Sequence, residues 1–425
     1  MKILLLNTSE QIGGAAIACK RLMVSLNKHG VEAKLLVRDK QTNEPNINSI
    51  NTNSYRKTIN TIRFLFDCFI IFVYNGFSKI NLFNISIALT GNKLYKNAEL
   101  KSADVIHLHW INQGFLSIKG IKKIIKLGKP IVWTMHDQWA YTGICHYTSG
   151  CNKYENYCST CHKLKYPKDK DLSYKLFNQK EKWYYNNNIT LVGCSNWIAN
   201  EAKKSNLCKH TSIVSIPNPI NTILYSPKNK SEMRKIFNLP ENKKLILFGA
   251  CKVTDERKGF IYLKEAEKIL LSNKFFSKEE LCIVVFGSKS DEIASLLSYE
   301  VQNIGYIHNV DEMVSLYNAV DMFLIPSLED NLPNTIMEAM ACGTPCVGFN
   351  IGGIPEMIDH QQNGYIANYK NASDLANGIH WVLKLTNYDQ LCYNARDKVE
   401  NTYSEAIIAK KYIELYENIL LNKNI

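Results

Sequence analysis

Long apolar runs are scarce in this 425-residue sequence, and none has the length of a membrane span. The longest, residues 64–74, holds about 11 residues and includes Asp67 and Cys68, whereas a spanning helix needs about 20. The opening stretch, residues 1–7, is too short for a secretion signal and lacks a small-residue cleavage site. We therefore expect a first buried strand there and a cytoplasmic protein.

Acidic residues are scarce in the first half of the chain. Residues 1–215 contain 30 Lys and Arg against 13 Asp and Glu, a balance of +17, whereas residues 216–425 contain 21 against 26, a balance of −5. This asymmetry favours a partner that is anionic and faces the N-terminal half, either phospholipid headgroups or nucleic acid. The alternative is a solvated, lysine-rich surface.

Disulfide bonds are not expected, because the 13 cysteines occur without a secretion signal. Four of them cluster within 17 residues, where the composition predicts about 0.5. Thiolates at such spacings suit a tetrahedral structural zinc ion, and the alternatives are packed free thiols or a redox Cys-x-x-Cys pair. The proposed ligands are Cys145, Cys151, Cys158 and Cys161.

Two successive series of strand-length apolar runs alternate with helical patterns, which predicts an α/β fold with two doubly wound parallel sheets. The first series comprises residues 3–6, 33–37, 105–108, 131–134 and 190–194, and the second 245–248, 282–286, 303–306, 322–325 and 345–348. The prolines at 217 and 219 mark a connector between them. We expect an N-terminal domain at 1–215, a C-terminal domain at 216–404, and a last helix, about 405–425, returning to the first domain.

An apolar segment, residues 63–83, interrupts the first series after an Asn-rich loop. Its pattern predicts either a core helix or an interfacial helix that lies on a membrane surface.

Residues 326–340 are the part of the chain richest in polar groups suited to a ligand. They follow an apolar strand and enter a helix near Pro333, so the helix N-terminus suits a diphosphate. Asp330 and Glu338 supply acceptors for sugar hydroxyls. The alternative is a surface helix whose early carboxylates only complement its own dipole.

This stretch resembles the retaining glycosyltransferases of family four, also called glycosyl transferases group 1. Their signature is an acid, seven residues, Glu, and then Ala-Met-Ala-x-Gly-x-Pro-Val; here Asp330 and Glu338 precede Ala-Met-Ala-Cys-Gly-Thr-Pro-Cys-Val at residues 339–347. The chain departs from it with Asp for the usual first Glu, and with Asn-Leu-Pro at 331–333 where Gly-Phe-Gly is common. The resemblance implies a GT-B fold, in which two Rossmann-like domains face a central cleft. It also implies that Glu338 holds the donor ribose and Asp330 contacts the donor sugar.

Other stretches resemble the family as well. Gly13 and Gly14 match its glycine loop, and the absence of Cβ atoms there lets the backbone approach a phosphate or sugar closely. Lys258 resembles the lysine that binds the donor diphosphate, and His136 resembles the active-site histidine. The family's second cation is represented by Lys252 or Arg257, and the helix start adds Asn334 and Thr335. In contrast, His107 and His109 alternate with apolar residues and are expected to be buried, hydrogen-bonded core residues.

The resemblance implies a retaining hexosyltransferase that uses a nucleotide-diphosphate sugar, acts on a glycan or lipid-linked acceptor in bacterial surface polysaccharide assembly, and needs no cofactor for catalysis. The basic N-terminal half adds the expectation of peripheral contact with the cytoplasmic face of an anionic inner membrane; no nucleic acid is expected as a partner. Two alternatives stay open: a nucleotide-sugar epimerase of the same fold, and a zinc-stabilised nucleic-acid binding protein.

Overall fold

The computed structural model describes residues 1–184 and 188–421 of the chain. These residues form two compact units: unit 1 comprises Met1–Asn218 with the chain from Ile408 onward, and unit 2 comprises Pro219–Ile407. Both divisions lie three residues beyond the expected boundaries at 215/216 and 404/405. The final residues of the expected C-terminal helix, 422–425, are outside the described part.

Unit 1 alternates strands and helices almost throughout. Its elements before the connector are β1 (Lys2–Ser9), α1 (Gly14–Lys28), β2 (Glu32–Asp39), β3 (Ile47–Ser49), α2 (Ser54–Tyr74), α3 (Ala98–Ser102), β4 (Val105–Leu108), α4 (Ile118–Ile125), β5 (Ile131–Met135), α5 (Leu172–Tyr184), β6 (Ile189–Gly193), α6 (Asn196–Lys204) and β7 (Ser212–Ser215).

Unit 2 repeats the pattern. Its elements are α7 (Lys230–Ile236), β8 (Lys244–Lys252), α8 (Phe260–Ser272), β9 (Leu281–Ser288), α9 (Ser290–Ala294), β10 (Glu300–Gly305), α10 (Val310–Ala319), β11 (Met322–Ile325), α11 (Asn334–Ala341), β12 (Cys346–Phe349), α12 (Ile354–Met357), β13 (Gly364–Ala367), α13 (Ala372–Lys384) and α14 (Tyr388–Tyr403). The last helix, α15 (Glu405–Leu421), begins in unit 2 and continues in unit 1.

Each unit is built on one parallel sheet. The strand orders are β3-β2-β1-β4-β5-β6-β7 in unit 1 and β10-β9-β8-β11-β12-β13 in unit 2. In both, the order reverses beside the first strand of the unit, between β1 and β4 or between β8 and β11. Doubly wound sheets bind ligands outside the carboxyl ends of the strands at this reversal. The predicted α/β class with two doubly wound sheets is confirmed, and the loops after these four strands are where a site is expected.

The C-terminal helix belongs to the core of unit 1. Ile408, Tyr412 and Tyr416 of α15 are buried in one cluster with apolar residues of α1, β1 and β2. The Tyr416 hydroxyl lies 2.7 Å from Nδ1 of His107, and the Tyr412 hydroxyl lies 2.9 Å from Oγ1 of Thr134. These contacts fix α15 against the inner strands β4 and β5.

The apolar segment of residues 63–83 is not a core helix. Only Asn60, Asp67 and Ile71 of α2 are buried, whereas most of its large apolar side chains are exposed. Within the described residues, no helix combines the length and apolar character needed to cross a membrane. The interfacial alternative is the one that this arrangement fits.

Candidate active site

The unit 2 part of the candidate site lies after the adjacent parallel strands β8 and β11. After β8, a single 3-10 turn at Glu256–Lys258 precedes α8. After β11, residues 326–333 lead into α11. The backbone N–H of Leu328 donates to the carbonyl of Arg257 at 2.8 Å, which joins the two loops. The sheet topology thus brings together two segments that lie about 70 residues apart in the sequence.

Arg257, Lys258 and Asp330 converge at this junction. Nζ of Lys258 lies 2.7 Å from Oδ2 of Asp330, and Nη1 of Arg257 lies 3.5 Å from the same oxygen. Nη1 of Arg257 also donates to the carbonyl of Glu329 at 2.7 Å. Two cationic side chains therefore contact one buried carboxylate. The backbone carbonyl of Glu329 also fixes the position of Arg257.

The charge balance of this cluster leaves Asp330 ionised. Burial acts to raise the pKa of Asp330, but the positive charges of Lys258 and Arg257, with hydrogen bonds from Lys258 and Ser327, hold its pKa below the usual value. The carboxylate fixes the two cations before any ligand arrives, which is the kind of preorganisation that electrostatic catalysis requires.

Two glycines permit the loops to approach so closely. Gly259 has φ of 72°, and a Cβ atom there would stand 1.8 Å from the carbonyl oxygen of Pro326. Gly352 has φ of 61°, and its Cβ would stand 1.8 Å from the carbonyl oxygen of Asp330. Neither contact is tolerable for another residue, so the positions of Lys258 and Asp330 depend on both glycines.

The start of α11 has no side-chain cap among the described residues. Pro333 occupies the N-cap position. Asn334 and Thr335 form that turn and are partly exposed. Uncapped amides at a helix N-terminus suit an anionic ligand. Lys252, at the end of β8, is exposed and belongs to no ion pair of the cluster around Asp330 in the described structure.

Glu338 lies on the second turn of α11 and is buried. Its Oε2 accepts a hydrogen bond of 3.0 Å from the hydroxyl of Tyr317, a fully buried residue of α10. The sequence analysis did not single out Tyr317, because nothing in the pattern of α10 shows which side chain meets Glu338. Tyr317 orients the carboxylate of Glu338 from the side of α10.

In unit 1, the predicted glycine loop follows β1. Gly13 is the N-cap of α1 with φ of 89°, and Gly14 begins the helix. A Cβ on Gly13 would meet no atom within 4 Å, so the glycine serves the backbone conformation and leaves open space in front of it. Buried Glu10 holds this loop, since its carboxylate accepts hydrogen bonds from the backbone amides of Gln41 and Thr42.

His136 begins the loop after β5 and contacts His109, which begins the loop after β4. Nε2 of His136 lies 2.8 Å from Nδ1 of His109, and Nδ1 of His136 lies 3.4 Å from Sγ of Cys194. Burial lowers the pKa of His136 to about 4, against the opposing effect of Asp137. His136 is therefore a neutral imidazole near pH 7, and a ligand hydroxyl that bonds it replaces its contact with His109 or with Cys194.

His107 is a buried core residue that bonds Tyr416 and Thr134, as its alternating pattern indicates. His109 is likewise buried and is hydrogen-bonded to His136 through Nδ1. Its Nε2 is buried and has no hydrogen-bond partner among the described residues, and His109, Asn112 and His136 line the same small cavity. An unpaired buried polar atom beside His136 marks His109 as a further candidate for ligand contact, which the sequence analysis had placed in the core.

Asp137 extends this group of polar residues. Oδ2 of Asp137 lies 2.6 Å from Nδ1 of His146 and accepts a hydrogen bond of 2.8 Å from Nε1 of Trp110. Burial acts to raise the pKa of Asp137, but His146 and the hydrogen bonds hold it below the usual value. The sequence showed His146 only as a neighbour of the clustered cysteines, whereas the structure places it beside the loop of His136.

The four clustered cysteines do not assemble into a metal site. The thiol of Cys145 is hydrogen-bonded to that of Cys161, and both lie in one apolar cluster, whereas Cys158 packs in another. Within the described residues, no group of three or more His, Cys, Asp or Glu side chains is arranged to hold a metal ion. The arrangement favours packed free thiols. The structural zinc stays a prediction that this geometry does not support, and elemental analysis of the purified chain tests it.

The buried histidines predict a loss of stability in mild acid. Burial lowers the pKa of His107 to about 3 and that of His136 to about 4, whereas an unfolded imidazole titrates near about 6.5. Because the folded pKa values lie below the unfolded one, the stability is complete above about pH 6.5 and is lost as the pH falls towards 4. At about pH 5 each histidine lowers the free energy of unfolding by about 2 kcal/mol.

Thermal melting at about pH 7.5 and about pH 5 measures this effect. We expect a smaller pH-dependent drop in Tm for His136→Gln than for the wild type, and an unchanged drop for the control His29→Gln, because His29 is exposed. A pH-dependent drop in Tm that is as large in His136→Gln as in the wild type would contradict the lowered pKa assigned to His136.

Each of the two units matches a protein-family model. Residues 12–223 match the Glycosyltransferase Family 4 model, and residues 229–399 match the model of the glycosyl transferases group 1. The first match covers the glycine loop and His136, and the second covers Lys258, Asp330 and Glu338. The candidate residues of each unit therefore fall inside the corresponding family match.

Individual relatives are more distant. The chain is 32% identical over 153 residues, 34% of its length and 39% of the relative's, to the N,N'-diacetylbacillosaminyl-diphospho-undecaprenol alpha-1,3-N-acetylgalactosaminyltransferase of Campylobacter jejuni. It is 24% identical over 220 residues, 49% of its length and 54% of the relative's, to the UDP-Gal:alpha-D-GlcNAc-diphosphoundecaprenol alpha-1,3-galactosyltransferase of Escherichia coli. The aligned regions span about half the length of the curated relatives.

A similar fold occurs in HepE of Anabaena, solved in complex with UDP and glucose, with a TM-score of 0.64 at 15% identity over 98% of this chain and all of that one. At this identity the likeness concerns the fold alone. The two family matches and the shared fold together confirm the resemblance read from the motif around Asp330 and Glu338: the chain belongs to the GT-B glycosyltransferases of group 1.

Proposed function

We propose that this chain is a retaining glycosyltransferase that moves a hexosyl group from a nucleotide-diphosphate sugar to a glycan or lipid-linked acceptor. The observation that carries the proposal is the convergence of Arg257 and Lys258 on Asp330, at the strand-order reversal of unit 2. Negative charge grows on the diphosphate as the bond to the sugar breaks, and these cations are positioned to neutralise it. Catalysis then requires no metal cofactor.

The donor-binding roles in unit 2 follow from the geometry and from family membership. Lys258 and Arg257 contact the diphosphate together with the amides at Asn334 and Thr335, and Lys252 adds positive charge at the end of β8. Glu338 receives the ribose hydroxyls on the carboxylate that Tyr317 orients. Asp330 contacts the donor sugar while it positions Lys258.

In unit 1, we assign the sugar and acceptor contacts to the loops after β1, β4 and β5. Gly13 and Gly14 offer backbone without side chains, which permits close approach of a sugar or phosphate. His136, neutral because of its low pKa, exchanges a hydrogen bond with a sugar hydroxyl. His109 supports it from the neighbouring strand end.

The stereochemical course that we propose is retention. The acceptor hydroxyl oxygen forms the new bond to the anomeric carbon on the face from which the diphosphate leaves, and the leaving phosphate oxygen takes the hydroxyl proton. No protein nucleophile is needed for this course, and none is nominated. Positioning and charge stabilisation supply the acceleration.

The acceptor that we propose is lipid-linked and lies at the cytoplasmic face of the inner membrane. The names of the Campylobacter and Escherichia coli relatives specify acceptors linked to diphospho-undecaprenol. This supports a role in the assembly of a bacterial surface polysaccharide such as O-antigen, capsule or exopolysaccharide. The nucleic-acid alternative would leave the cation pair and the open start of α11 in unit 2 without a role.

A donor screen tests the proposal. The purified chain is melted with UDP-, GDP-, ADP- and CMP-sugars, and release of the free nucleotide is followed with each. We expect one nucleotide class to raise Tm, by an amount that grows with ligand concentration, and to be hydrolysed slowly. With an acceptor, NMR of the product should show the anomeric configuration of the donor. An inverted product would overturn retention, and no response to any donor would overturn transfer.

A further inference from the structure

Helix α2 of unit 1 is amphipathic, but its polar side faces the protein and its apolar side faces solvent. Of its three buried residues, two are the polar Asn60 and Asp67. Its large apolar side chains recur at helical spacing on the outer side, and these exposed residues are Tyr55, Ile62, Leu65, Phe66, Phe69 and Val73. A helix that stabilised only the fold of unit 1 would show the reverse arrangement.

The polar inner face is hydrogen-bonded into unit 1, so the helix is held in this orientation. Nδ2 of Asn60 donates to Oδ1 of Asn51 at 2.6 Å, and Nη1 of Arg63 donates to Oδ1 of Asn92. Oδ1 of Asp67 accepts a hydrogen bond of 3.2 Å from the amide of Thr90. Rotating α2 to bury its apolar side would break these bonds, and the outward apolar face is therefore a built feature.

The apolar surface continues past the end of α2, and the exposed charged residues of the same segment are positive. Phe77 and Phe83 are each 70% exposed, and Ile80 is 50% exposed. The only acidic residue in residues 45–98 is Asp67, which is buried. The same segment exposes five cations, at Arg56, Lys57, Lys79, Lys93 and Lys96.

We propose that this surface, the outer face of α2 with residues 77–83, docks on an anionic lipid bilayer. Exposed aromatic and aliphatic side chains enter the boundary between headgroups and acyl chains, and the surrounding Lys and Arg residues contact anionic headgroups. A second copy of the chain would bring a surface of the same positive sign, which opposes a symmetric dimer through this face. Charge complementarity therefore favours lipid over self-association.

The docking surface adjoins the candidate site of unit 1. Phe64 and Asp67 of α2 line a cavity together with Ser86 and His146. His146 bonds Asp137, the residue after His136. A membrane that meets the outer face of α2 thus lies on the opposite side of this helix from the cavity that His146 lines. The properties of the surface alone support the docking, whereas the use of docking to present a lipid-linked acceptor rests on the proposed function.

Vesicle sedimentation of the full chain tests the docking without any measurement of activity. The probes are vesicles of equal parts phosphatidylglycerol and phosphatidylcholine, and vesicles of phosphatidylcholine alone, at low and high salt. We expect binding to the anionic vesicles that weakens as salt rises, because surface charge is screened. The double variant Phe66→Glu with Phe69→Glu should lower the partition coefficient at least about tenfold. Lys57→Glu with Lys79→Glu should weaken binding mainly at low salt.

Matched variants outside the surface serve as controls. Ile223→Glu in unit 2 alters an apolar side chain that is 89% exposed, and Lys268→Glu reverses an exposed charge on α8. Both should sediment as the wild type does, and all variants should keep the wild-type Tm because the changed side chains are exposed. Wild-type chain that stays in the supernatant at low salt would overturn the proposal, as would equal losses in the control variants.

Light scattering of the chain without lipid addresses self-association. A concentration-dependent dimer that Phe66→Glu with Phe69→Glu abolishes, in a chain that does not bind anionic vesicles, would overturn the lipid assignment in favour of a second copy. A monomer at every concentration, together with vesicle binding, is the expected result. Failure of vesicle binding leaves the donor screen unaffected, so the two proposals fail separately.

Discussion

Replacing Lys258 by alanine is expected to lower kcat/KM for the nucleotide-sugar donor by about 10²- to 10³-fold, the loss typical of removing one preorganised charged contact to the reacting group. Lys258 stands 2.7 Å from Asp330, on a turn whose position Gly259 makes sterically accessible. The ammonium group is thus fixed before the donor binds, and little reorganisation is needed as charge develops on the diphosphate. The measurement is steady-state release of the nucleoside diphosphate.

The buried carboxylate of Asp330 complicates a single substitution. Without Lys258 the described contacts of this carboxylate oxygen are the longer ones with Arg257, at 3.5 Å, and with the hydroxyl of Ser327, at 3.4 Å. An underpaired buried charge destabilises the fold. The double variant Lys258→Ala with Asp330→Asn removes that charge. If Lys258 acts on the diphosphate, the double variant regains Tm but is clearly less active than Asp330→Asn alone. If Lys258 only neutralises Asp330, the double variant and Asp330→Asn alone have equal activity.

The control for this experiment is Lys268→Ala, which removes an exposed ammonium group from α8 of the same unit. It should keep wild-type kcat/KM and Tm. Activity of Lys258→Ala within about threefold of the wild type, with an unchanged donor KM, would contradict the diphosphate role.

The inner strands of both sheets could be predicted because parallel strands buried on both faces read as continuous apolar runs. The predicted runs at 105–108 and 322–325 coincide with β4 and β11. The missed strands β3, β7 and β13 are all at sheet edges. There one side lacks a neighbour and polar residues or glycine are tolerated, as in the Ile-Asn-Ser of β3, so no apolar run marks them.

The local part of the candidate site could likewise be read from the sequence, whereas its contacts could not. Asp330 and Glu338 lie within one motif, and their spacing is visible. The pairing of Asp330 with Lys258 joins residues 72 apart and depends on β8 and β11 being neighbours in the sheet. Tyr317 reaches Glu338 from another helix, and nothing in the spacing of α10 indicates it.

The partner of His109 and the orientation of α2 likewise could not be read from the sequence. The alternation of His109 with apolar residues indicated a buried, hydrogen-bonded position, as the structure has it, but did not show that its partner is His136. The apolar content of α2 predicted a helix without showing which side faces solvent. The orientation is decided by hydrogen bonds that Asn60 and Arg63 donate to Asn51 and Asn92 and by one that Asp67 accepts from the amide of Thr90.

Replacing Glu338 by glutamine is expected to weaken binding of the donor nucleotide by about 10- to 100-fold, because hydrogen bonds to a charged acceptor contribute about 1.5–3 kcal/mol. Glutamine keeps the size of the side chain and can still accept from the hydroxyl of Tyr317 on its amide oxygen. The substitution therefore removes the charge while it leaves the packing of α11 in place. The readout is the rise in Tm produced by the free nucleoside diphosphate, followed by titration of its affinity.

Tyr317→Phe is the matched variant for this pair. It removes the 3.0 Å hydrogen bond to Oε2 but leaves the carboxylate charged. If Glu338 binds the ribose, Tyr317→Phe should keep most of the nucleotide affinity, with a modest loss from poorer orientation, whereas Glu338→Gln should lose it. If Glu338 serves only to satisfy the buried tyrosine, Tyr317→Phe should lower Tm more than Glu338→Gln does, and neither variant should change the affinity.

The free nucleotide separates ribose recognition from sugar recognition, since it lacks the donor sugar. A loss of affinity in Glu338→Gln that is equal for the nucleotide and the nucleotide sugar places the contact on the nucleoside side. A loss seen only with the intact sugar donor would instead place Glu338 beside the sugar and would exchange its role with that of Asp330. Unchanged affinity for both ligands, with full activity, would remove Glu338 from the site and with it the motif from which the function was inferred.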